Sequence, residues 1–177
     1  ALHAPLDVML VRKLGVPGHE ELAMGAIASG GIRVISDDVV RALGLPDRAI
    51  ATVAAQEEHE LKRREHLYRG DRPPPDVRGK TVILVDDGLA TGSTMRAAIA
   101  ALKAQGPERL VVAVPVAAAE TCEAIQREVD EVVCALAPEP FLAVGQWYQD
   151  FSQISDEEVH QLLRRANESQ MSTRQTQ

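Results

Sequence analysis

The chain is poor in cysteine, in aromatic residues and in positive charge, and each scarcity closes off a class of function. Two cysteines in 177 residues do not make a disulfide framework. Cys122 shares a helical face with Ala118, Ile125 and Val129, and Cys134 lies in an apolar, strand-like run. Both therefore read as core residues, and the protein as cytoplasmic. A net charge of −7 argues against general nucleic-acid binding, which needs a basic face. No apolar run approaches a membrane span and no signal peptide opens the chain. Two phosphate motifs are also missing: there is neither a G-x-x-x-x-G-K-[ST] nor a G-x-G-x-x-G. An EF-hand fails as well, because the acidic positions do not alternate. Aromatics make up only 3%, so any cluster of them is informative.

What is present suits one α/β domain: 45% hydrophobic and 25% charged residues, in a length that buries about two-thirds of the unfolded surface. The most telling stretch is residues 82–94, V-I-L-V-D-D-G-L-A-T-G-S-T. Val82 to Val85 read as a strand buried on both faces of a parallel sheet. Met95, Ala98, Ile99 and Leu102 then follow helical spacing, stopped by Gly106-Pro107. A strand, a tight turn and a helix N-terminus is where an open α/β sheet places its ligand. Free amides and the helix dipole favour an anion there. Thr91, Ser93 and Thr94 add hydroxyls, and Gly92 permits close approach to the backbone. Asp86 and Asp87 would repel phosphate, so they must face hydroxyls or a metal. A diol beside an anion describes a ribose 5-phosphate. The plainer alternative is an acidic turn with Thr91 or Ser93 as a helix cap.

Residues 82–94 resemble the 5-phosphoribosyl-1-pyrophosphate (PRPP) signature of type I phosphoribosyltransferases, and the order of elements extends the likeness over roughly residues 6–151. The resemblance implies a three-layer, open, mostly parallel sheet with a small hairpin or hood region. It assigns Asp86 and Asp87 to the ribose hydroxyls, and Gly88, Leu89, Ala90, Thr91, Gly92, Ser93 and Thr94 to the loop around the 5-phosphate. It further implies Mg²⁺ held through the substrate near Asp86 and Asp87, with no direct protein cage. The expected reaction is phosphoribosyl transfer to a nucleobase or similar nitrogen heterocycle, with release of pyrophosphate. The resemblance is compatible with a homodimer.

Elsewhere, residues 6–12 read as a buried strand with Arg12-Lys13 at its carboxyl end. These cations are either simply solvated or, as the resemblance implies, pyrophosphate ligands, Lys13 then counting with Asp86 and Asp87 as catalytic. Gly15, Pro17 and Gly18 mark an irregular loop. Residues 23–29 and 32–36 flank Gly30-Gly31 as a hairpin. Ser36 can cap a short helix closed by Gly44. A longer helix runs from about Asp47 toward Tyr68, with Glu58–Lys62 and Glu60–Arg64 as i,i+4 pairs. Residues 70–79 form a stiff connector. Strands at 110–116 and 131–136 around a helix at 118–129 imply right-handed βαβ crossovers. Ser155 to Glu158 is a capping box opening a last helix. Residues 1–167 are expected to form the single domain, with 168–177 a polar, disordered tail.

Four of the five aromatics fall in residues 138–151, P-E-P-F-L-A-V-G-Q-W-Y-Q-D-F. This is either a small core under a loop or a stacking surface for a planar base. Phe141 best matches the base-contacting segment of purine phosphoribosyltransferases, with Trp147 and Tyr148 as rivals. Two departures from the family pattern stand out. Position 90 is Ala where purine-salvage members often carry an Asp acid/base. The family's usual first strand and pyrophosphate loop do not precede residue 6, and the chain opens on Ala1 without Met, as a trimmed N-terminus would. Hence a second expectation: a non-catalytic PRPP-binding regulatory domain or an inactive fragment.

Overall fold

The computed structural model describes the chain from residue 4 to residue 174, and the side chains of these except residue 21 and residues 169–174. Its strands form two three-stranded sheets. Strands β1 (Val11–Val16), β2 (His19–Ala28) and β3 (Ile32–Ile35) make an antiparallel meander. Strands β4 (Thr81–Val85), β5 (Arg109–Val116) and β6 (Glu131–Leu136) are parallel and in sequence order, an open α/β sheet. Helix α3 (Ser93–Lys103) connects β4 to β5, and α4 (Ala119–Gln126) connects β5 to β6. Parallel neighbours need such crossovers, because a two-residue turn cannot reverse a strand into parallel register.

The core forms where the periodicities converge. Met95, Ile99 and Leu102 of α3 are buried against Leu110, Val112 and Val114 of β5 and Ile125 of α4. Each side chain of this size stabilises the fold by about 1.5–3 kcal/mol when fully buried. Because α3 also packs on β1, β2 and β3, it lies between the two sheets. A second cluster, Leu14, Val16, Met24, Ile27, Ala54 and Leu61, joins the meander to α2 (Asp47–Arg69). The charged half of α2 carries the expected pairs, Glu58–Lys62 at 2.8 Å and Glu60–Arg64 at 2.9 Å. The short helix α1 (Asp37–Leu43) ends at Gly44 in the left-handed region, where a glycine carries no Cβ penalty. Ser36 precedes it but makes no side-chain capping bond.

Several expectations are corrected. The first strand is residues 11–16, not 6–12, because the antiparallel register with β2 runs from Val11, with Leu10 bonded just beyond it to Ser29. Arg12 and Lys13 therefore sit inside a strand rather than at its carboxyl end. The segment around Gly15, Pro17 and Gly18 is no loose loop: Gly15 and Val16 still pair with β2 through a bulged register. A Cβ on Gly15 would lie 2.8 Å from the carbonyl oxygen of Glu20, so glycine is what allows that approach. Strand β4 is not buried on both faces. Among the described residues it pairs only with β5, and the helices cover the face bearing Val82 and Leu84, leaving Ile83 43% and Val85 68% exposed. Helix α4 stops at Gln126 rather than 129.

The last helix, α5 (Asp156–Arg174), opens on the expected capping box. The Ser155 amide donates to Glu158 Oε2 at 3.0 Å, and the Glu158 amide to Ser155 Oγ at 3.3 Å. The tail expected from residue 168 is corrected too, since 168–174 continue this helix; residues 175–177 lie outside the described residues. Helix α5 packs on α2, where the Tyr68 hydroxyl donates to Asp156 and Leu163 is buried.

Candidate active site

The chain leaves β4 at Val85 and crosses the C-terminal end of the sheet before entering α3. Leu89 fixes that crossing. Its amide donates to the carbonyl of Val116 at 3.0 Å, its carbonyl accepts from the Ala118 amide at 2.9 Å, and its side chain is buried. Leu89 is thus an anchor, its amide already taken by β5. On one side of it lie Asp86, Asp87 and Gly88; on the other, Ala90 to Thr94.

Asp86 and Asp87 both reach solvent. The Asp87 amide donates to Asp86 Oδ1 at 3.0 Å, which curls the turn. The Asp86 carboxyl is nonetheless pushed above its ordinary 3.8. The chief cause is loss of hydration against the surrounding protein. The Asp87 amide opposes the shift, and the negative charge of Asp87 adds to it. Two adjacent carboxylates on an exposed turn can accept from vicinal hydroxyls or meet a hydrated cation.

Beyond Leu89, Gly92 is buried at φ +70° and precedes the first residue of α3. Among the described residues, the amides of Thr91, Gly92, Thr94 and Met95 donate to no protein acceptor. This is the set of unpaired donors a helix N-terminus presents, and they carry its partial positive charge. The hydroxyls of Thr91 and Ser93 lie 3.2 Å apart. The loop can thus bind an anion beside a turn that can bind a diol.

Two supports of this loop are not evident in the sequence. Thr121, at the start of α4, donates its hydroxyl to the Ala90 carbonyl at 2.6 Å, and its methyl would lie 2.9 Å from a Cβ on Gly92. Val144 presses on Gly88, where a Cβ would be 2.7 Å from one of its methyls. No local pattern marks either residue; each acts on a loop distant in sequence.

The aromatic segment splits three ways. Phe141 is half-buried and lines a cleft of roughly 600 Å³ with Ala118, Glu120 and Pro138, at the ends of β5 and β6. Trp147 ends a 3-10 turn (Val144–Trp147) and is 44% exposed. Tyr148 donates its hydroxyl to the Asp87 carbonyl at 2.6 Å and packs its ring on Phe151, with centroids 5.2 Å apart. Arg12 and Lys13 line a different cleft, of roughly 850 Å³, between the meander and α2. There Arg12 Nε pairs with Glu57 Oε2 at 2.7 Å, and the exposed Arg48 lines the same cleft.

Among the described residues, no three His, Cys, Asp or Glu side chains converge to hold a metal, and no helix is long and apolar enough to cross a membrane.

Three proteins resemble this chain. Over 94% of its length the chain is 44% identical to the "Putative phosphoribosyl transferase Rv0571c" of Mycobacterium tuberculosis (strain ATCC 25618 / H37Rv), although it spans only 38% of that protein. It is 31% identical to the uracil phosphoribosyltransferase of Lactobacillus gasseri, with 68% of this chain and 57% of that one aligned. The crystal structure of TT1426 from Thermus thermophilus superposes with a TM-score of 0.78 at 41% identity, covering 92% of this chain and 76% of that one. The family model described as "Phosphoribosyl transferase domain" matches residues 18–144, a span that takes in the acidic turn and the amide-lined loop; the chain belongs to the phosphoribosyl transferase domain family.

Proposed function

We propose that residues 1–167 act as one domain that binds Mg²⁺-PRPP and transfers its phosphoribosyl group to a nitrogen heterocycle. In this reading Asp86 and Asp87 accept from the ribose 2- and 3-hydroxyls. The amides and hydroxyls of Thr91 to Thr94 hold the 5-phosphate. The bond between C1 and the pyrophosphate oxygen breaks with its electron pair leaving on pyrophosphate. The acceptor nitrogen supplies the pair for the new C1–N bond and then loses its proton. Positive charge develops on the ribose ring as the bond breaks, near two carboxylates that can stabilise it. Ala90 offers no proton-transfer group, so the reading suits an acceptor that needs no such help there.

Mg²⁺ fits this donor set through the substrate. It keeps waters and phosphate oxygens and needs only one or two carboxylates nearby, which Asp86 and Asp87 can supply. When bound it would neutralise the leaving pyrophosphate. Arg12 and Lys13 are the proposed pyrophosphate ligands, Arg12 by exchanging Glu57 for the phosphate oxygens. Phe141, in the cleft at the ends of β5 and β6, is the proposed face for the base.

The observation that supports this best is the pairing of the acidic turn with the amide-lined loop across the Leu89 anchor. Calorimetry with PRPP and MgCl₂ tests it: the wild type binds, and Asp86→Asn with Asp87→Asn does not, while its circular dichroism is unchanged. Equal affinity in the two proteins overturns the assignment. Pyrophosphate release with a panel of bases tests the transfer step, beginning with uracil, the base named for the Lactobacillus gasseri relative. The absence of a side-chain acid or base at Ala90 favours a second reading, a PRPP-binding regulatory domain. Binding without pyrophosphate from any base would select it.

A further inference from the structure

The aromatic segment does more than line a cleft. Among the described residues, the Tyr148 hydroxyl makes the one hydrogen bond from a distant part of the chain to residues 86–88, donating to the Asp87 carbonyl at 2.6 Å. The bond joining Asp87 to Asp86 is local. Tyr148 is itself held on a closed ring of contacts. Phe151 tilts against it at 42°. Phe151 also packs under Gly145, where a Cβ would meet its Cδ1 at 2.7 Å. Val144, one residue earlier, presses on Gly88, and a Cβ there would also stand 2.9 Å from the Val116 carbonyl oxygen. Gly88 and Gly145 thus let residues 144–151 lie directly on the acidic turn.

We propose that Tyr148 is a positioning residue for the sugar: it fixes the Asp87–Gly88 peptide so that both carboxylates face a ribose diol, and ties that turn to the segment bearing Phe141 and Trp147. This rests on the reading of Asp86 and Asp87 as the diol ligands. A carboxylate on an unbraced turn must be ordered when the sugar arrives, and that ordering weakens binding. A turn already held by a hydrogen bond and by Val144 does not incur it. Because the hydroxyl and one side of the Tyr148 ring are engaged, stacking a base is left to Phe141 and Trp147.

Tyr148→Phe separates this role from mere support, because it removes the hydroxyl and keeps the ring on Phe151. Titration of wild type and variant with Mg²⁺-PRPP, ribose 5-phosphate and inorganic phosphate should give a selective pattern. The two sugar ligands weaken by about three- to tenfold, the worth of one net hydrogen bond, while inorganic phosphate, which lacks the diol, binds as before. The Gly88 amide resonance should shift in the variant, reporting the lost bond at the Asp87 carbonyl. Equal weakening of all three ligands, or no weakening with only a lower melting temperature, overturns the proposal. Should the variant fail to fold, Phe151→Leu, which unseats the ring but keeps the hydroxyl, must give the same selective loss, and an unselective one overturns it. A wild type that binds no PRPP removes the reading of the site and this inference with it. A wild type that binds PRPP no better than Tyr148→Phe removes the inference alone.

Discussion

Thr121 holds Ala90 from 31 positions away, its hydroxyl 2.6 Å from the Ala90 carbonyl oxygen. The helix that follows β5 thereby braces the loop that follows β4. Thr121→Val keeps the shape and removes the donor. The expected cost is about 0.5–1.5 kcal/mol of stability, the net worth of one hydrogen bond, read from a urea melt. Inorganic phosphate should bind a few-fold more weakly, and unchanged affinity would show that the loop keeps its form without Thr121.

Asp86 predicts a conflict between stability and binding. Its folded value lies above the ordinary 3.8, so the folded state holds this proton to higher pH than the unfolded chain. The resulting contribution to stability is fully present below the unfolded value and is lost as pH rises through the folded one. At neutral pH the ionised group costs stability, so Asp86→Asn should raise the melting temperature at pH 7 while weakening sugar binding, as functional sites often do. Ribose 5-phosphate affinity in the wild type should fall on acidification with a midpoint displaced upward from 3.8 by the same burial. Asp87→Asn should move that midpoint down by removing the like charge, though not fully, because dehydration is the larger cause. A midpoint that does not move would show that the Asp87 charge plays no part in the shift.

The strand–turn–helix of the site was legible because its signals are local. Apolar runs, paired acids and helical spacing fall within residues 81–103, and the structure follows them. Ser155 with Glu158 and the charge pairs of α2 were legible for the same reason. What the sequence left open depends on partners far along the chain. The Tyr148–Asp87 bond spans 61 positions, and no local pattern separates a tyrosine that braces a turn from one that stacks on a base. The apolar residues 8–11 resemble a strand by composition, yet pairing alone decides where β1 begins. The same holds for β4, whose edge position is set by which neighbours it has rather than by its own residues.

Glu57→Gln tests the role proposed for Arg12. The pair is partly exposed, so losing it should cost under about 1 kcal/mol of stability. Freed of its carboxylate, Arg12 should bind pyrophosphate about two- to fivefold more tightly, the range such a pair spans. Calorimetry with Mg²⁺-pyrophosphate measures it, and unchanged binding would place Arg12 outside the site.

Cys122 should be inert in the native protein. Its thiol is pushed up to about 12, first by burial and then by the neighbouring Cys134 thiol, and the thiolate is the reactive form. Iodoacetamide at pH 8, followed by mass spectrometry, should leave Cys122 unmodified unless urea is present.

The buried leucine at position 89 gives the site a pivot. With its backbone bonded to the end of β5 on both sides, the carboxylates before it and the amides after it are held at a fixed spacing. A molecule that offers only an anion, or only a diol, reaches one of the two. One that carries both gains the second contact at the high effective concentration of an intramolecular event. On the proposed reading, selectivity for a phosphorylated sugar over its parts comes from distance, set by the two backbone hydrogen bonds of Leu89.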